Sequence, residues 1–229
     1  VKRFYTTVEA VPADDGWTIA LDGRPVRTPA RATLVLPTVP LAEALVAEWA
    51  AQGEKIDPAS MPLTGLSNAA IDRIAPERET FAAGLSAYAG TDLLAYRADS
   101  PAPLAARQAA AWDPLLAWLA RRYDVVLLTT TGLAHIAQPP ASLARIAAAY
   151  ASLDPFRLAA LSQVVTITGS AVIGLAFAEG AIDADSAWAA GRLDELWQAE
   201  QWGADPLAEA AQAERRGSLA AAERLLPLL

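Results

Sequence analysis

The strongest constraint on the fold is a run of 21 uncharged residues, 158–178, lying between Arg157 and Glu179. A helix of that length spans a bilayer if it is apolar throughout. Ser162, Gln163, Thr166, Thr168 and Ser170 dilute it, and much of the remainder is Ala or Gly. A segment without a charged face cannot lie half in water, so outside a membrane other helices must cover it on every side. The run is therefore read as a helix buried in an Ala-rich bundle, with no membrane insertion.

The rest of the chain divides by its period. Residues 4–11, 17–21, 24–28 and 33–36 are short β-prone runs separated by turn chemistry, with Asp22-Gly23 as a hairpin signal. They predict a small antiparallel sheet. Thr38 is a candidate N-cap, Pro40 falls in the first turn, and Ala42, Leu45, Val46 and Trp49 recur at helical spacing. Trp49 is thereby placed in the core, while Glu43, Glu48 and Gln52 are polar. Pro58 and Pro62 mark residues 56–63 as a loop, and 68–74 is helical. From Pro76 onward the pattern predicts helices over 77–89, 102–122, 141–151, 155–178, 183–201 and 206–215, with another from Ser218. Two β-prone runs, 92–96 and 125–131, either extend the N-terminal sheet or pair with each other. The fold class is α+β. A small N-terminal β-rich (α/β) domain with one or two helices, residues 1–75, precedes a larger all-helical domain, residues 76–229.

Composition removes most chemistry. The absence of cysteine excludes disulfides, zinc–cysteine sites and thiol nucleophiles. The single histidine, His135, excludes multi-histidine metal centres, and a Ser-His-Asp enzyme would depend on it alone. A net charge of -8 is the wrong sign for a nucleic-acid binder. Gly169 and Gly174 have phosphate-loop spacing, but Leu175 and Ala176 stand where Lys and Ser/Thr are required. No catalytic residue, cofactor or metal is expected. The alternative reading is a small-molecule hydrolase or ligand-binding domain using His135 or a carboxylate pair. Residues 1–5 lack the apolar core of a signal peptide, and the Arg and Ala bias suggests a bacterial gene.

The charge is not spread evenly. Residues 183–214 hold eight acidic residues against one base, Arg192, which is -7 of the chain's -8. On one continuous helix, Ala189, Leu193, Leu196 and Trp197 would form an apolar stripe. Trp188, Glu195 and Trp202, at i, i+7 and i+14, would form a second line more than a right angle away. Exposed aromatic residues interleaved with charge mark binding surfaces, unless a neighbouring helix covers them.

Five ordered motifs add a resemblance. They are Trp17 with Asp22-Gly23-Arg24-Pro25; Glu48-Trp49 leading into Met61-Pro62 and Asn68; Tyr88 with Thr91-Asp92 and Tyr96-Arg97; Trp112-Asp113-Pro114; and Leu193-Asp194-Glu195 with Trp197-Gln198, Glu200 and Trp202-Gly203. Together they cover about residues 3 to 216. The chain resembles the assembly chaperones of the F₁ sector of ATP synthase that serve the alpha subunit, a family of mitochondria with bacterial relatives. The resemblance implies a non-enzymatic chaperone, monomeric when free, that binds unassembled alpha subunit and protects its interface until the beta subunit replaces it. It implies the bacterial cytoplasm as location, and the mitochondrial matrix for eukaryotic relatives. It also implies a small α/β domain followed by a helical one. Asp194, with Glu195 adjacent, matches an acidic position that matters in the family, here one methylene shorter than the Glu common in relatives. Asp194, Glu195, Trp188, Gln198 and Trp202 are the expected partner-binding residues. Trp49, Asp92 and Trp112 are the expected structural motif residues, and Trp49 is sensitive to substitution in the family.

Overall fold

The computed structural model describes residues 1–132, 134–203 and 206–229. Leu133, two residues before His135, and Asp205, one of the acids counted above, lie outside the described residues, as does Ala204. The chain forms two compact units. The first comprises Val1–Arg78, Asp154–Ala160 and Arg224–Leu229; the second comprises Glu79–Leu153 and Leu161–Glu223. The course differs from a cut near residue 75, because two later segments bring fully buried Leu158 and Leu225 into the first unit.

In the first unit β1 (Val8–Ala13), β2 (Gly16–Leu21) and β3 (Arg24–Pro25) make an antiparallel sheet in that order. The register Ala20↔Pro25 and Leu21↔Arg24 places the tight turn at Asp22-Gly23, as its residues predict. Residues 33–36 do not form a fourth strand. They make single bridges, Trp17↔Leu36 and Arg27↔Thr33. The Val35 N–H turns back onto Thr33 O (3.0 Å), and that three-residue turn breaks the ladder.

Helix α1 (Val39–Ala50) is capped by Thr38, whose Oγ1 accepts from Leu41 N (3.2 Å). Its buried face is Leu41, Ala42, Leu45 and Glu48. Trp49 is only half-buried, which corrects its expected place in the core. The face turns by one residue because Glu48 has a task inside. Its carboxylate accepts from Leu63 N, Thr64 N and Thr64 Oγ1, each at 2.8 Å. Those donors belong to the first turn of α2 (Pro62–Ala69), which has no capping side chain of its own. A carboxylate there satisfies otherwise orphaned N–H groups and meets the positive end of the helix dipole. Helix α2 therefore begins inside the segment expected to be a loop.

From Arg78, the last residue of this stretch of the first unit, the chain continues through α3 (Arg78–Ser86) and two tight helical turns, Ala87–Thr91 and Leu93–Ala95. Next come β4 (Tyr96–Arg97), α4 (Ala102–Tyr123), β5 (Thr130–Thr131) and α5 (Pro140–Ala151). The remaining helices are α6 (Pro155–Thr168), α7 (Ala171–Ala178), α8 (Ala184–Gly191), α9 (Leu193–Trp202) and α10 (Pro206–Leu225). Strands β4 and β5 pair with each other, in parallel. The uncharged run is two helices, not one. Gly169, at φ +68°, ends α6, and Ser170 caps α7 by accepting from Ile173 N (3.0 Å). Residues 171–177 are buried on every side, as their composition requires. Among the described residues no helix is long and apolar enough to cross a membrane.

The break is fixed by Asp92, which is fully buried. Its carboxylate accepts from Ser170 Oγ (2.7 Å), Val172 N (3.1 Å) and Leu94 N (3.1 Å). Burial nevertheless dominates these hydrogen bonds and pushes the carboxyl up to about 6.

Candidate partner-binding face

Helix α4 directs Gln108, Trp112, Leu115 and Leu119 inward, at spacings of four, three and four. Fully buried Trp112 donates from its Nε1 to Ala190 O (2.9 Å), tying α4 to the end of α8. At that end a Cβ on Gly191 would lie 2.5 Å from Thr168 Cγ2, so only glycine permits the approach. Arg192 then leaves helical geometry (φ -118°, ψ 20°), and α9 starts afresh at Leu193.

That break removes the continuous line from Trp188 to Trp202. Trp188 is 6% exposed and belongs to the buried side of α8 with Ala184 and Ala187. It is withdrawn from the expected surface, because the direction of a side chain on α8 no longer predicts that of one on α9. Within α9 the stripe survives. Glu195, Gln198 and Trp202 stand at i, i+3 and i+7, all exposed, with Trp202 at 77%.

Asp194 has a different setting. It sits in the first turn of α9, part-buried, and accepts from Gln108 Nε2 at 2.7 Å. Gln108 is itself buried, and its Oε1 accepts from Ala98 N (2.8 Å), so both ends of the amide are used. Asp194 is held in place, whereas Glu195 beside it is exposed and pairs with Arg192 Nη1 at 3.0 Å. The Nε of Arg192 is buried without an acceptor.

Leu193, Leu196 and Glu200 form the opposite stripe of α9. With Ala111 and Leu115 of α4 and Ala190 of α8, among others, they line an apolar groove of about 460 Å³. Its rim is closed by a two-point ion pair, Arg107 to Glu200 at 2.6 and 3.0 Å. Hydrogen bonding from Arg107 holds the Glu200 carboxyl below its usual value. The same guanidinium lies over the Trp197 ring, 5.7 Å from its centroid. Neither Arg107 nor Gln108 was marked by the sequence pattern. Their partners lie 93 and 86 residues away, and a polar pair in an Ala-rich helix is the sole local signal.

Part of the acidity of residues 183–214 is spent internally. Asp183 caps α8 through Ser186 N (2.8 Å), Asp185 pairs with Arg216 (2.6 Å) and Glu200 with Arg107. Both arginines lie outside the segment. The expected structural residues have the environments already given: Asp92 and Trp112 are buried in the second unit, and Trp49 is half-buried in the first. His135 is exposed, with Nδ1 3.2 Å from Tyr96 Oη.

The family profile described as ATP12 chaperone protein matches residues 2–120. The chain belongs to the ATP12 chaperone family. Solved structures extend the likeness over the whole chain. Atp12 from Paracoccus denitrificans is 46% identical, with a TM-score of 0.96 over 99% of this chain and 97% of that one. An aspartate-to-lysine variant of the same organism's Atp12p is 45% identical, with the same score and coverage. The Atu1473 protein of Agrobacterium tumefaciens is 40% identical, with a TM-score of 0.94 over 99% of this chain and 85% of that one. Membership in the ATP12 family makes this a chaperone of ATP synthase assembly and not an enzyme, which sets aside the hydrolase reading built on His135. The α+β architecture, a small N-terminal sheet followed by helices, agrees with the family's.

Proposed function

We propose that this ATP12-family chaperone binds the unassembled alpha subunit of the F₁ sector and covers its assembly surface until the beta subunit takes its place. The observation that carries the reading is the pairing, on α9, of an apolar groove face with an exposed Glu195–Gln198–Trp202 stripe. An unassembled subunit exposes apolar surface normally covered by its neighbour. A groove with an aromatic anchor at its edge offers that surface buried area. Carboxylates beside it select basic segments and disfavour acidic ones. Release then requires only a competitor for the same surface, so the absence of a phosphate-loop lysine at Leu175 is no obstacle. On this reading the free chaperone is a monomer and acts in the bacterial cytoplasm.

The test is co-elution of purified chaperone with isolated alpha subunit, together with suppression of the subunit's aggregation. Glu195→Lys and Trp202→Ala are each expected to weaken the complex about tenfold, corresponding to roughly 1.4 kcal/mol, with unchanged melting. Wild-type affinity in both variants would remove the α9 stripe from the binding surface. No complex with the alpha subunit would overturn the reading as a whole.

A further inference from the structure

The first unit carries a groove of its own, about 590 Å³, that plays no part in the surface on α9. Its wall is aromatic, formed by Phe4, Tyr5 and Trp49. Phe4 is 69% exposed, although nothing in its local sequence requires a large apolar side chain to face water. The charged residues of the lining are Asp22, Arg24 and Arg27. Asp22 is already committed: its carboxylate accepts from Thr6 N, Thr7 N and Thr7 Oγ1 at 2.7–3.2 Å. Arg27 gives one Nη1 to Arg31 O (2.9 Å) and keeps its other N–H donors, and Arg24 is exposed. Asp22 keeps its charge and attracts Arg24, so the lining carries two cations against one anion, a net positive site in a chain of net charge -8.

Trp49 gives the wall its ring. The Nε1 of Trp49 is buried and has no acceptor. The rest of the Trp49 environment is satisfied: its carbonyl accepts from Tyr5 Oη (2.7 Å), and the two rings pack at 5.7 Å. That N–H is closed off from solvent, so it lies behind the groove wall and only the ring of half-buried Trp49 is offered to a ligand.

We propose that this groove binds an extended segment of a protein partner in which carboxylates alternate with large apolar side chains. The carboxylates meet Arg24 and Arg27, whose planar forks suit them. The apolar side chains stack against Phe4, Tyr5 and Trp49. The sign is opposite to that of the face on α9. An acidic segment is repelled by the acidic residues 183–214 and attracted here, which gives the site its selectivity.

Fluorescence polarisation on the full chain tests this. The probes are a short fluorescein-labelled peptide alternating Glu with Leu and Phe, and its counterpart with Lys in place of Glu. The acidic peptide is expected to bind, more weakly as salt rises, and the basic one at least about tenfold less well. Arg24→Glu should cost about tenfold, and Phe4→Ala, which removes the exposed ring, should cost several-fold. Melting curves establish that each variant is folded. Glu195→Lys should bind the acidic peptide at least as well as the wild type, which separates this site from the one on α9. Equal binding of the two peptides, wild-type affinity in Arg24→Glu, or no polarisation change with the acidic peptide at about 1 mM protein would each overturn the proposal.

Discussion

Two buried carboxylates, one in each unit, accept from the first turn of a helix, one that has no capping side chain of its own and one that Ser170 also caps. Glu48 reaches from the end of α1 to the first turn of α2, and Asp92 reaches from between two tight turns to the first turn of α7. The donors differ. Glu48 meets two backbone N–H groups and a hydroxyl, all from one helix turn at 2.8 Å. Asp92 divides its bonds between that turn, the capping Ser170 and its own neighbour Leu94. It is fully buried, and desolvation outweighs three hydrogen bonds. The same device thus acts in the first unit as a concentrated cap and in the second as a junction whose charge is costly.

Substitutions can break this comparison. Glu48→Ala leaves three buried donors without an acceptor and should destabilise the chain most, by about 4 kcal/mol in denaturant unfolding. Asp92→Asn keeps the shape and exchanges acceptors for an amide, at a cost of about 2 kcal/mol at pH 7. Its effect should depend on pH, with a definite sign. The folded carboxyl sits at about 6 against an ordinary 3.8, so folding takes up a proton between those values. The group's contribution to stability is full below pH ~4 and is lost as pH rises through ~6. The wild type should therefore lose stability relative to Asp92→Asn across that window. A difference independent of pH would show that Asp92 does not titrate there. Ser170→Ala removes the cap and one of the carboxylate's donors, and about 1 kcal/mol is expected.

The smallest effect on folding belongs to the rim of the α9 groove. Glu200→Gln breaks an exposed ion pair with Arg107 and should leave the melting temperature unchanged, while loosening binding of the partner. Asp194 and Glu195 should differ in the same way. Asp194→Lys sets a cation against the Gln108 amide and should lower stability as well as binding, whereas Glu195→Lys should lower binding alone. Equal melting temperatures for the two would mean that the Gln108 bond contributes nothing.

Features encoded within a few residues were legible. The Asp22-Gly23 turn, the Thr38 cap and the extents of α4 and α5 follow from local chemistry. Boundaries set by a distant partner were not. Pro62 looks like loop because the acceptor that starts α2 there is Glu48, and Gly169 looks like mid-helix because the junction is held by Asp92. Helix α10 runs through Gly217, where a pause near residue 215 was expected. Glycine costs about 1 kcal/mol in a helix, and buried Leu219, Ala222 and Leu225 offset it. The candidate site was half legible. Glu195, Gln198 and Trp202 keep their common face because a stripe within one helix is a property of spacing. Trp188 does not join them, because Arg192 interrupts the spacing.

The sequence by itself determined the class of fold, the family, and the concentration of charge in residues 183–214. Period, turn chemistry and ordered motifs are local quantities that the chain carries without folding. Tertiary structure decided which of those charges remain to meet a partner. Arg107, Arg216 and Gln108 come from elsewhere in the chain to Glu200, Asp185 and Asp194, and only packing brings them within 3 Å. It also decided that Trp49 stands in a groove with Phe4 and Tyr5. A side chain's neighbours follow from the approach of separate elements, which no helical period encodes.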